Sequence, residues 1–437
     1  MSIPIVIDKS TFQSLSFDEV ILLHNYYRPN ITPILTMEIM ADLKKTFDNS
    51  TDSNNRVQDF AKKLLPFNSA VNINFTDLLV SDLLYGTTNI DYTPVIGSTE
   101  LVKSESGKIG FHVKESPQEK AISRWRDGKF IEAEKELASI WRDFTTQKDL
   151  LVNLKESLKN RIQIPDKFNS LDELNIYIDS MLNNTDIQGD LLLFLISEFG
   201  INSEDASKIF YRWTLSEEKK LRKFAVYAFH CAKVKLLFDF ALRYDLVGTR
   251  PTNMLDLQYF YYLPFAKLFA SNDKFQKSLA PYLIDSNQEF IDGADLKKDL
   301  KKLVEYRATL SEKKDIDRTK KEPPRLTDSL TYKLWNKNFY WPPRFESTDT
   351  KSPKNQKELL DEFMNAKATK IDPTKNINND VEFIIKEYDL RPTDLCFCGS
   401  GKSVKDCCLT EDYFKIKKNE LNNDHSNNEK GKTKSTI

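Results

Sequence analysis

The chain opens Ile3-Pro4-Ile5-Val6-Ile7-Asp8, a short apolar run rich in β-branched residues that ends on a carboxylate. A helical pattern through Leu15, Val20, Leu22 and Leu23 follows. Side chains of this shape fit a pleated surface, so the run predicts a strand. A second strand passes into a helix from Asn30-Ile31-Thr32-Pro33 onward, with Glu38 and Asp42 four apart on one helix face. Strand, helix, strand, helix at this spacing begins an α/β parallel sheet.

The same grammar returns far along the chain. A helix starts near Asn253 with Asp256 in its first turns, Lys267-Leu268-Phe269-Ala270-Ser271-Asn272-Asp273 reads as a strand ending in an acid, and another helix opens at Lys274. More than two hundred residues lie between Glu38 and Asp256. The expected organisation is therefore an α/β domain in two parts, 1–50 and 250–293, around a mainly helical insertion over 51–249. Within that insertion, residues 89–115 carry hairpin-like pieces. Ser116-Pro117-Gln118-Glu119 then combines a cap, a first-turn proline and a third-position Glu, which marks a helix start. Two helices meet near Gly128, and Cys231, alone in an apolar stretch, reads as core. Residues 294–390 form an extension whose Lys-rich part, 294–325, is expected as one charged helix. The tail from 413 to 437 is polar and expected to be disordered.

Composition narrows the classes. The 437 residues carry 64 basic and 65 acidic side chains, a formal net charge of −1, so a general electrostatic grip on nucleic acid is not visible and any such site must be local. Only 12 glycines suggest few tight turns, which favours helices over an all-β fold, and 28 Phe and 17 Tyr supply ample core. With no N-terminal apolar signal and no long apolar run, the expectation is a cytoplasmic protein with reduced thiols and no membrane partner.

Ligand sites of open parallel sheets lie outside the carboxyl ends of the strands. If the two flanking parts share one sheet, Asp8, Glu38, Asp256 and Asp273 converge there. Four carboxylates at close quarters repel unless cations neutralise them, which implies Mg²⁺ or Mn²⁺. Two such ions ~3.5–4 Å apart can activate water and stabilise the leaving oxygen of a phosphodiester. Each acid also has an ordinary use. Asp8 and Asp273 can cap the helices that follow them, Asp256 can answer a helix dipole, and Glu38 can sit on a solvated face. Asp42 and Asp82 offer themselves as extra acids of the site, with the surface as the expected place for both.

The order of these motifs resembles the PIN-domain nucleases. The resemblance rests on Ile7-Asp8-Lys9-Ser10, on Thr36-Met37-Glu38-Ile39, on Asp256 before Leu257-Gln258-Tyr259, and on Ser271-Asn272-Asp273, with 17 positions between the last two acids. It implies a PIN-like parallel sheet, Asp8, Glu38, Asp256 and Asp273 as catalytic metal ligands, and Ser271 as an auxiliary polar contact in the cofactor site. The long interval after Glu38 departs from compact members of that family.

Four of the five cysteines fall within thirteen residues, as Cys396-Phe397-Cys398-Gly399-Ser400-Gly401 and Cys407-Cys408. Reduced thiols so spaced are most simply thiolates around one zinc ion. The segment closely resembles the SEC-C motif over about residues 391–412. The resemblance implies Cys396, Cys398, Cys407 and Cys408 as zinc ligands and a module that docks a protein partner. The expected whole is an α/β PIN-like parallel sheet with a large mainly α-helical insertion and a small C-terminal zinc knuckle. The expected activity is metal-dependent hydrolysis of nucleic acid, with RNA as the first candidate. The alternative is a non-enzymatic adaptor that uses the zinc knuckle and the helical block.

Overall fold

The structure, a computed structural model, describes residues 2–48, 54–64, 69–97, 99–147, 149–161, 167–339, 367–368, 381–386, 391–394, 396 and 402–407. Among them nine strands form two sheets: β1 (Ile3–Ile7), β2 (Tyr27–Ile31), β3 (Ala70–Val71), β4 (Thr99–Lys103), β5 (Ile109–Val113), β6 (Leu268–Ser271), β7 (Glu289–Asp292), β8 (Lys367–Ala368) and β9 (Val381–Lys386).

The larger sheet has the order β3-β2-β1-β6-β7 and is parallel throughout. β1 lies at its centre, with Ile5 opposite both Pro29 of β2 and Leu268 of β6. Ile3, Ile5 and Val6 are fully buried, as a strand covered on both faces requires. The two distant parts of the chain therefore meet, and β1 to β3 run to one side of the sheet while β6 and β7 extend the other. The order reverses between β1 and β6. That switch point is where the loops leaving two adjacent strands diverge and open a crevice.

The sheet also takes β3 from inside the stretch expected to be an insertion, so the α/β body does not stop at residue 50. A two-residue Ala-Val strand has no periodicity to announce it. Nor does the body stop at 293, because the helix Gly293–Ala308 packs on the helix Phe17–Tyr26 and on β7. The single Lys-rich helix expected over 294–325 is two helices, Gly293–Ala308 and Lys313–Thr319.

The rest of the central stretch is largely helical. Ser116 and Glu119 form the expected capping box at the head of Pro117–Arg126, and Gly128, at φ +68°, turns the chain toward the helix Glu132–Thr145. The helix Val226–Arg243 is buried along most of its length, Cys231 included. Asp82, expected at the surface, is 1% exposed. Its carboxylate accepts the N–H groups of Tyr227 and Ala228 and so caps that core helix from another segment.

The second sheet, β8-β4-β5-β9, combines the 99–113 hairpin with strands from the C-terminal part. Beyond β9 the chain stays attached. Asp394 pairs with Arg126 in a largely buried ion pair, and Arg391 pairs with Asp127 at 2.7 Å and donates to the Ser123 carbonyl at 2.6 Å. Among the described residues no helix is long and apolar enough to cross a membrane.

Candidate metal site

The site is built at the switch point. The N–H of Asp8 donates to the Ala270 carbonyl at 3.2 Å, which ties the carboxyl ends of β1 and β6 together. Asp8 is buried and caps the helix Lys9–Ser14: Oδ1 accepts the Thr11 N–H at 3.0 Å and Oδ2 the Ser10 hydroxyl at 2.6 Å. Burial pushes its carboxyl above the usual range, while Ser10, Thr11 and Ser271 pull it back. Ser271, fully buried at the end of β6, serves both acids of the switch, because its Oγ also accepts the Asp273 N–H at 2.9 Å. Asp273 caps the helix Lys274–Leu283 through Oδ1, and its Oδ2 lies 3.4 Å from the exposed guanidinium of Arg250.

Glu38 comes from the helix Pro33–Asp48 that leaves β2. Its Oε2 accepts the hydroxyl of Tyr259. Burial raises its carboxyl, and Asp8 and Asp42 add to that against the pull of Lys9 and Tyr259. Lys9 is anchored here: its ammonium donates to the Glu38 carbonyl oxygen at 2.7 Å and pairs with Asp42 at 2.8 Å. Asp42 is therefore a buried member of the site, 6% exposed, rather than the surface residue expected.

Asp256 sits in the short helix Asn253–Gln258, one turn before Tyr259. Gln276 holds that turn, its amide nitrogen donating to the Asp256 carbonyl oxygen at 2.9 Å. The Asp256 Oδ2 is buried without a hydrogen-bond partner. Its carboxyl is pushed up to about 8, first by burial and then by the charges of Asp273, Glu38 and Asp8, against the pull of Arg250. The structure thus places Asp256 within electrostatic reach of Asp273, Glu38 and Asp8, and adds Asp42, Lys9, Tyr259, Gln276 and Arg250.

Signals for two of these additions were present in the sequence. Tyr259 stands three positions after Asp256 and Asp42 four after Glu38, both same-face spacings on a helix. The partners that make them part of a site come from distant segments and left no local mark.

As the side chains stand, no group of three or more acids, histidines or cysteines among the described residues is arranged to hold an ion. The donor set nevertheless fits a hard cation. It is all oxygen, as Mg²⁺ and Mn²⁺ prefer, and each carboxylate offers more lone pairs than its present hydrogen bonds use. An uncompensated Asp256 Oδ2 beside three further acids is costly unless protonated or joined by a cation.

Of the cysteine cluster, Cys396 is buried and Cys407 exposed, whereas Cys398 and Cys408 lie outside the described residues. The polar tail 413–437 lies outside them too. The backbone brings the arms of the cluster together. The Val404 N–H donates to the Asp394 carbonyl at 2.7 Å and the Cys396 N–H to that of Lys402 at 2.8 Å. Comparison with protein-family models, curated proteins and solved structures gives no match to this chain.

Proposed function

We propose that this protein is a metal-dependent nuclease of PIN-like design that hydrolyses phosphodiesters, with single-stranded RNA as the first substrate class to try. The observation that supports this reading most is Asp256, whose buried, unpartnered oxygen faces the field of Asp8, Glu38 and Asp273 at the sheet's switch point. Acids that served as caps alone would have no reason to be gathered there.

Asp8 and Asp256 would hold Mg²⁺ or Mn²⁺ between them, with Glu38 and Asp273 completing the oxygen set. When bound, the cation polarises a phosphoryl oxygen and makes water a better nucleophile at neutral pH. The chain's own residues do the rest. Tyr259 fixes Glu38 by its hydroxyl, and Ser271 fixes the relation of Asp8 to Asp273. Arg250, 64% exposed at the rim, can leave Asp273 for a substrate phosphate. The cysteine cluster is read as one structural zinc on Cys396, Cys398, Cys407 and Cys408, forming a module for a protein partner.

The test is cleavage of several single-stranded RNAs in Mn²⁺ by the wild type beside an Asp8→Asn/Asp256→Asn double variant. Cleavage lost in the variant is expected. Equal cleavage by both, or none by either, removes the catalytic reading and leaves the adaptor reading, which the attachment of the knuckle arm to Arg126 and Asp127 favours.

A further inference from the structure

Lys9 is an unusual neighbour for a two-ion site. Its ammonium is held at both ends of one helix turn, 2.7 Å from the Glu38 carbonyl oxygen and 2.8 Å from Asp42 Oδ2, and the two side chains are only 16% and 8% exposed. An ammonium buried that far stays only where fixed negative charge surrounds it. It lies on the Glu38 side of the crevice, where its charge acts on Glu38. On the other side, the Asp256 Oδ2 has no hydrogen-bond partner. The fully buried Gln276 that braces Asp256 has an unpartnered Oε1 as well. Positive charge is thus bonded in place beside Glu38 and Asp42, whereas the Asp256 Oδ2 feels Arg250 without any bonded partner.

We propose that Lys9 is a resident counter-ion standing where a second metal would bind, so that this crevice takes one divalent cation, on the Asp8 and Asp256 side. The inference rests on the nuclease reading and refines it. Five carboxylates (Asp8, Glu38, Asp42, Asp256, Asp273) face two cationic side chains, Lys9 and Arg250. One divalent ion leaves this set about one charge negative and two leave it about one charge positive, so the choice falls to position: a second ion beside Glu38 and Asp42 would meet the Lys9 ammonium at short range. Chemistry at such a site relies on one ion together with fixed protein charge, instead of a symmetric pair of ions.

Calorimetric titration of the zinc-loaded full chain with Mn²⁺ tests this. The wild type is expected to bind one Mn²⁺ that the Asp8→Asn/Asp256→Asn variant does not bind. Lys9→Gln is expected to bind two, and Lys9→Arg to keep one. Because Lys9→Gln leaves Asp42 buried without its partner, Lys9→Gln/Asp42→Asn replaces the pair by two neutral amides and is also expected to bind two. Two acid-dependent ions in the wild type, or one in both Lys9→Gln variants, would overturn the counter-ion role and leave the nuclease reading standing. No acid-dependent Mn²⁺ in the wild type would overturn both.

Discussion

The hydroxyl of Tyr259 donates to the Glu38 carboxylate, joining two parts of the acid cluster that stand 221 positions apart in the chain. This bond fixes which way Glu38 faces. Replacing Tyr259 by Phe keeps the buried ring and removes one hydrogen bond to a charged acceptor, a change of about 1–2 kcal/mol. Mn²⁺ affinity, measured by calorimetry, is expected to fall roughly tenfold. In a Glu38→Gln background the same change is expected to have little further effect, because the oriented carboxylate is already gone.

Asp256 makes stability depend on pH. Its carboxyl titrates near 8 in the folded chain against an ordinary 3.8. Between those values the native state keeps a proton that the unfolded chain has released. The stabilisation is therefore complete below pH 4 and is lost as pH rises toward 8. In EDTA, the wild type is expected to lose thermal stability across this window more steeply than Asp256→Asn. At pH 8 the variant is expected to melt higher than the wild type, and the difference to shrink as pH falls toward 4. Mn²⁺ is expected to raise the wild-type midpoint and leave that of the variant unchanged.

The ion pair between Arg126 and Asp394 attaches the segment that leads into the cysteine cluster to the end of the helix Pro117–Arg126. Both side chains are about nine-tenths buried, so removing Arg126 takes the counter-charge from a buried carboxylate that keeps the Arg391 N–H, and weakens the attachment. Arg126→Ala is expected to speed amide exchange in β9 and in residues 391–394 and 402–407 by at least tenfold. Exchange in β1 and β6 is expected to stay as in the wild type.

Zinc content tests the cysteine cluster independently of the acids. The purified chain is expected to carry one zinc, and Cys407→Ser/Cys408→Ser to carry none, by elemental analysis. Zinc-free wild-type protein with an intact fold would remove the metal from the knuckle.

Much of the sheet was legible because its cause is local. Ile3–Ile7 and Leu268–Ser271 are apolar runs punctuated by acids, and the capping box at Ser116 and the turn at Gly128 are set by residues within three or four positions. What sequence reasoning missed depends on partners from elsewhere. Asp42 and Asp82 look like surface acids until Lys9 and the head of the helix Val226–Arg243 are brought against them. β3 is too short to have a period. The pairing of β9 with β5 joins segments far apart in the chain, and no local pattern encodes such a partner. Asp8 and Asp273 show why the functional residues were ambiguous: each does cap a helix, and each also stands at the switch point. The two uses share one side chain, so neither excludes the other.

Anomalous diffraction from crystals grown with Mn²⁺ tests the central claim most directly. The account predicts a manganese peak within about 2.0–2.6 Å of carboxylate oxygens from both Asp8 and Asp256. Crystals saturated with Mn²⁺ that show those carboxylates turned away from each other, with no peak between them, would contradict it.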